Sequence, residues 1–242
     1  MSNYTDVFVS GRAFQEEEVR NRRVVVIDVL RAASVIVTAL DNGAKGVIPV
    51  EDMSEAGQIA QNLDASRYLL CGEKGGVKIE GYHLGNSPLE YKSEVVKDKT
   101  LILNTTNGSK AIAKCESANE IYVASFLNIS AIVEKLKSSD ESFILICSGY
   151  INRLSIEDLL CAGHILYDYY NGKLPVSATD GARVAFALYE QFGSDIPAMI
   201  SGSNHAYRLE KIDYADDIAY CSQKDITKTI PVMKEGILVK HG

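Results

Sequence analysis

Four carboxylates stand where the chain changes character. Asp28 closes the apolar run VVVID (24–28), Glu73 follows YLLC (68–71), and Glu157 and Asp158 open a helical stretch beyond FILICS (143–148). A carboxylate at the end of an apolar strand either caps the next helix or belongs to a site. As a site residue, Asp28 is a metal ligand or a nucleophile. The D-x-D of aspartyl phosphatases of the haloacid dehalogenase type is absent, because position 30 is Leu30. Glu157 and Asp158 are adjacent, about 100° apart on a helix, so both face one ligand only at a frayed first turn. Ser155-x-x-Asp158 also has the spacing of a capping box. Oxygen ligands without a nearby Cys or His pair favour Mg²⁺ over Zn²⁺.

The second kind of chemistry is anion binding. NTTNGS (104–109) follows another apolar run; it is a turn by its Asn107-Gly108 pair, and it offers hydroxyls on Thr105, Thr106 and Ser109 at a helix start, where free N–H groups attract anions. Arg31 follows Asp28 by three residues. The segment 71–88 holds five glycines and reads as a surface or binding loop, with Asn86 and Ser87 just before Pro88. His205 and Arg208 lie one turn apart and together can reach an anion; Asp216 and Asp217 read as a solvated pair. Neither GxxxxGK nor a strand-following GxGxxG occurs, which excludes the common nucleotide-phosphate loops.

Several elements must position these groups. Runs at 24–28, 46–50, 68–71, 100–104, 120–125 and 143–148 are rich in β-branched residues, and helical spacing fills 32–42, 54–63, 109–115, 129–137 and 156–169. Alternating strands and helices predict an α/β fold, a three-layer α/β/α sandwich with a largely parallel, mixed sheet. Apolar strands without alternation fit a sheet covered on both faces. The tail TIPVMKEGILVKHG predicts two short strands around a Glu-Gly turn, at an antiparallel edge. No linker or repeat breaks the sequence, so one domain spans 1–242. In open α/β sheets ligands bind beyond the carboxyl ends of strands, and the polar groups above crowd those ends. The expectation is that Asp28, Glu73, Asn107 and Glu157 share one edge of the sheet.

Composition sets the class. The net charge of −7 argues against a nucleic-acid surface, and no apolar run is long enough to span a membrane. Five scattered cysteines without a CxxC pattern and no signal-peptide pattern predict reduced thiols and a cytoplasmic location. Oligomeric state is not readable, and a homo-oligomer remains open.

The motifs VVVIDVLRAAS (24–34), GYHLGNSPLE (81–90), LNTTNGSKA (103–111), LSIEDLLCAG (154–163), DGARVA (180–185) and DIAYCSQKD (217–225) together resemble the 2-phosphosulfolactate phosphatase (ComB) family, in order over nearly the whole chain. The resemblance implies a ComB-like three-layer fold and a Mg²⁺-dependent phosphatase. Its reaction converts (2R)-2-phospho-3-sulfolactate and water to 3-sulfolactate and phosphate, a step of coenzyme M biosynthesis. On that footing Asp28, Glu157, Asp158 and Glu73 are the expected metal ligands. Arg31, Asn86 and the Thr105, Thr106, Asn107, Gly108 and Ser109 loop would hold phosphate. Arg153, His205 and Arg208 would meet the remaining negative charge of a small phosphorylated substrate. The nucleophile is Asp28 or a water activated by the metal. Where the family carries Arg-Ala and then a hydroxyl residue, this chain has Arg31-Ala32-Ala33-Ser34. A non-catalytic module that senses a phosphorylated or sulfonated acid is the competing class, and a phosphotransferase is the second enzymatic one.

Overall fold

A computed structural model describes residues 5–242. The strands are β1 Asp6–Phe8, β2 Arg23–Ile27, β3 Gly46–Val50, β4 Tyr68–Lys74, β5 Val77–Lys78, β6 Thr100–Asn104, β7 Glu120–Ala124, β8 Phe143–Cys147, β9 Pro231–Lys234 and β10 Ile237–Lys240. The helices are α1 Glu16–Val19, α2 Ala32–Asp41, α3 Met53–Gln61, α4 Ser93–Val96, α5 Gly108–Ala113, α6 Ile129–Lys137, α7 Ile156–Tyr169, α8 Asp180–Phe192, α9 Ile196–Ser201, α10 Asn204–Glu210 and α11 Ala215–Cys221.

All the strands join one mixed sheet in the order β1-β8-β2-β7-β9-β10-β3-β6-β4-β5. β2 and β8 are buried along their whole length, which is why neither alternates. Val25, Ile27 and Leu145 face Leu160, Ile165 and Phe186 of α7 and α8. On the opposite face Val24 and Val26, with Leu101 and Leu103 of β6, pack on Ile36 and Leu40 of α2 and Ile112 of α5. Beyond β6, Ile102 packs against Ala56 of α3. The result is helix, sheet, helix.

The topology departs from the expectation in two ways. The tail hairpin β9–β10 is not an edge. It pairs antiparallel with β7 on one side and with β3 on the other, while β1 and β5 form the edges. In consequence the two parallel sets, β1-β8-β2-β7 and β3-β6-β4, run in opposite senses, and their carboxyl ends do not share an edge in the flat sense. Twist reunites them. At roughly 20–25° per step, the five steps from β2 to β6 turn the second set through more than a right angle. Residues at or just beyond the ends of β2, β4, β6 and β8, Asp28, Glu73, Thr105 and Ser148, line one cavity.

Candidate active site

Ile27 of β2 is in register with Ala124 of β7 and Cys147 of β8, so Asp28, Ser125 and Ser148 leave the sheet at one level. Asp28 does act as a helix cap: its Oδ1 accepts from Ala32 N at 3.0 Å and its carbonyl from Ala33 N. Capping occupies one oxygen. The other lies against the 105–108 turn of the second strand set, because a Cβ on Gly108 would sit 2.5 Å from Asp28 Oδ2 and 2.5 Å from Ala32 Cβ. Only glycine permits that approach. Asp28 thus has two roles open to it, and it lines a cavity of about 890 Å³ together with Glu73, Asn86, Thr106, Asn107 and His205.

The neighbours of Asp28 are anionic. Asp158 accepts from Val29 N at 2.8 Å with one oxygen, and from Ser148 Oγ at 3.2 Å and Gly149 N at 3.1 Å with the other. Glu157 places Oε1 3.0 Å from His205 Nδ1, and its Oε2 is buried with no hydrogen-bond partner. The His205 ring stacks on Tyr150 at 4.2 Å. Burial pushes the Asp28 carboxyl up to about 6, against the opposing pull of the Ser148 hydroxyl and of the His205 charge. The Asp158 carboxyl rises well above the usual carboxylate range, first through burial and then through the charges of Asp28 and Glu157. Three buried carboxylates with one imidazole beside them form a site that lacks positive charge.

Arg31 does not supply it. Its guanidinium donates to Asp217 Oδ2 and to Gly76 O, each at 2.7 Å, and stacks on Tyr214 at 4.2 Å. Glu73 bridges two loops, accepting from Gly76 N and Thr106 N at 2.6 Å each.

The family model described as 2-phosphosulpholactate phosphatase matches residues 10–236. The chain belongs to the 2-phosphosulfolactate phosphatase family. It is 44% identical over 220 residues to a probable 2-phosphosulfolactate phosphatase of Thermotoga maritima, covering 90% of this chain and 92% of that one. It is 43% identical over 230 residues to a protein of the same description from Pseudothermotoga lettingae, covering 94% and 97%. A third, from Caldanaerobacter subterraneus subsp. tengcongensis, is 37% identical over 235 residues, covering 97% of each chain.

In this family member the residues singled out in the sequence sort into three groups. Asp28, Arg31, Glu73, Asn86, Thr105, Thr106, Asn107, Gly108, His205 and Arg208 line the cavity. Arg153 and Glu157 line a neighbouring cavity of about 830 Å³ that shares His205 and Arg208 with the first. Asp158 and Ser109 line neither. Asp158, expected as a direct or water-mediated metal ligand, is a clamp between the ends of β2 and β8, with both oxygens accepting hydrogen bonds. Ser109 closes the first turn of α5: its Oγ donates to Thr105 O and its N donates to Thr105 Oγ1. Asp217 was read as half of a solvated pair; it is buried on Arg31 while Asp216 is exposed. The signal was in the spacing, since Asp217 and Cys221 are four apart and share the buried side of α11 with Ile218. Ser148 and Tyr150, which hold Asp158 and His205, had no motif of their own.

Hard oxygen donors are present for a cation at Asp28, Glu73 and the free oxygen of Glu157. Among the described residues no three His, Cys, Asp or Glu side chains converge into a complete ligand set.

Proposed function

We infer that this chain hydrolyses the phosphate monoester of 2-phospho-3-sulfolactate to 3-sulfolactate and phosphate, with Mg²⁺ at the Asp28 end of the cavity. The observation that carries the reading is the excess of buried carboxylate around Asp28, which lines the cavity, with one oxygen of nearby Glu157 unpartnered among the described residues, in a member of this family. Buried anions of this kind call for a cation. Mg²⁺, held by Asp28, would supply neutralisation of phosphoryl charge.

The chain's own groups do the positioning. Gly108, with no side chain, lets the 105–108 turn close against Asp28, so that the backbone of this turn and the carboxylate border one space. Asp28 Oδ2 serves as the nucleophile or orients the attacking water. The backbone of Asn107 and Gly108 and the Thr106 hydroxyl border the same space, and Asn86 lines it with a buried acceptor oxygen, Oδ1, that has no hydrogen-bond partner among the described residues. Glu157 pins Nδ1 of His205 and so directs its other nitrogen away, towards a ligand. The five free cysteines, all buried, support a reducing, cytoplasmic setting, and no helix among the described residues is long and apolar enough to cross a membrane.

The test is phosphate release from 2-phospho-3-sulfolactate by the purified chain in Mg²⁺, after exhaustive chelation, and after Mg²⁺ is restored. Release that depends on the metal and recovers with it is expected. Undiminished release after chelation overturns the metal's part; turnover of a generic phosphate ester with none of this one overturns the substrate.

A further inference from the structure

The two adjoining cavities differ in charge. The outer rim of the Asp28 cavity carries the exposed carboxylates of Glu16, Glu51, Asp52 and Glu116 around the exposed cations Arg12 and Lys110. The neighbouring cavity carries Arg153, Arg208 and Lys211, all exposed, and its one carboxylate, Glu157, is buried against His205. In a chain of net charge −7, a pocket lined by three cations and no exposed acid is a local reversal of sign. Neither Arg153 nor Arg208 is held by an ion pair among the described residues, so both remain open to a ligand.

The wall between the cavities is built, and it is narrow. Tyr150 and Arg153 close a two-residue turn by exchanging backbone hydrogen bonds at 3.0 Å each, with Ile151 and Asn152 at φ +50° and +59°. A β-branched residue in the left-handed region is costly. Here it puts Ile151 at the boundary, 64% exposed, and holds the Tyr150 ring on His205. Arg208 lies on both sides of this wall, and Lys211 follows it by three residues, on the same side of α10.

Resting on the phosphatase reading above, we propose that the substrate spans this wall: the phosphoryl group sits at Asp28, and the sulfonate arm points past His205 and Arg208 into the neighbouring cavity, where Arg153 and Lys211 select it. The reacting group has to occupy the first cavity, because Asp28 and Glu73 line only that one. A sulfonate turned the other way would approach a mixed rim, where four exposed carboxylates surround Arg12, Lys110 and Lys114. Turned inward, it meets unpaired cations, and charge-assisted hydrogen bonds to a fixed anion are the strong ones. Arg153 and Lys211 are specificity-determining residues on this account, and neither touches the reacting atoms.

The experiment removes the sulfonate from the substrate and the cation from the protein in turn. kcat/KM is measured for 2-phospho-3-sulfolactate and for 2-phospholactate, which keeps the carboxylate and the phosphate, in wild type, Arg153→Ala, Lys211→Ala and Arg12→Ala. All three side chains are exposed, and a melting temperature for each variant checks that it folds. The ratio of the two kcat/KM values should fall about 10–100-fold in Arg153→Ala and in Lys211→Ala, the range for a lost hydrogen bond to a charged group. It should hold in Arg12→Ala. An unchanged ratio in both inner variants, with an active wild type, overturns the sulfonate assignment and leaves the phosphatase reading intact. A fall in Arg12→Ala alone overturns it in favour of the outer rim. A wild type that hydrolyses neither ester overturns the phosphatase reading and this inference with it.

Discussion

Two buried polar clusters flank the first turn of α2, and they resolve their charge in opposite ways. On one side Arg31 meets Asp217 at 2.7 Å, Asp217 accepts from the Ser87 hydroxyl at 2.5 Å, and Tyr214 and Gly76 O cover the rest of the guanidinium. On the other side Asp28 and Glu157 lie beside His205, Asp158 adds its charge to theirs, and one Glu157 oxygen has no hydrogen-bond partner among the described residues. The first cluster is complete without a ligand. It ties α2 to α11 and to the β4–β5 hairpin, and it works as scaffold. The second lacks a matching positive charge, and on the proposed function a cation would supply it. Only Val29 and Leu30 separate Asp28 from Arg31, yet proximity in sequence did not make them partners. The location of unresolved charge, more than the presence of charged residues, marks the site.

The largest effect expected from this contrast is on turnover. Asp28→Asn keeps the size and the cap to Ala32, since Asn caps about as well as Asp. It removes the anion. kcat/KM should fall by about 10³-fold or more, in the range seen when a group at the reaction centre is lost, while the melting temperature holds or rises because a crowded buried anion is gone. A stable, fully active Asp28→Asn protein would reduce Asp28 to a cap and break the comparison from the catalytic side.

Next comes the complete cluster, where the effect should be on stability. Asp217→Asn leaves Arg31 buried without its counter-ion, and breaking a buried pair from one side costs about 3–5 kcal/mol. For a chain of this length that lowers the melting temperature by roughly 10 °C. Thermal unfolding of the variant beside Asp28→Asn sharpens the contrast, because the two carboxylate-to-amide changes should move stability in different directions. An unshifted melting temperature for Asp217→Asn would show that the Arg31 pair is not a scaffold.

How much of this the sequence disclosed follows from the range of the interactions involved. Strands at 46–50 and 100–104 and helices at 129–137 and 156–169 have the bounds expected from local apolar pattern, because residues a few positions apart set them. Asp28, Glu73 and the 105–108 turn gather at one cavity because each ends a strand that carries its own pattern. The opposed sense of the two strand sets has no such signature. It depends on a hairpin joined to its neighbours by single register pairs, Tyr122 with Val232 and Leu238 with Val47. The partner of Arg31 lies 186 residues away, and helix phase hinted only that Asp217 is buried, not what it meets. Asp158 shows a different limit: its spacing from Ser155 announced a cap, and Ser155 Oγ does accept from Asp158 N, but the side chain's clamp on the strand ends came from tertiary contact alone.

A third buried group offers the finest test, because it avoids charge instead of pairing it or leaving it exposed to a ligand. His164 of α7 is fully buried, stacked on Tyr189 of α8 at 4.2 Å and near Phe126. Its Nε2 lies 3.0 Å from Lys224 Nζ and 3.3 Å from Asp168 Oδ2. Burial first, and then the Lys224 ammonium, hold its pKa down to about 4, against the pull of Asp168 and Asp225. The neutral ring accepts from Lys224. An unfolded chain has its histidine near 6.5, so as pH falls the unfolded state takes up the proton first. Stability from this residue is whole above about 6.5, declines through the window down to about 4 and is gone below it. At pH 5 the loss amounts to about 2 kcal/mol, from 1.36 kcal/mol per unit. Asp28 and Asp158, raised in the folded state, change stability in the opposite sense over acid pH, so the total curve hides the histidine. The difference between wild type and His164→Gln isolates it, since glutamine can still accept from Lys224 and does not titrate. Between pH 7 and pH 5 the wild type should lose more unfolding free energy than the variant. Parallel curves would mean that His164 carries its proton within the fold, and that this cluster too is resolved by pairing charge.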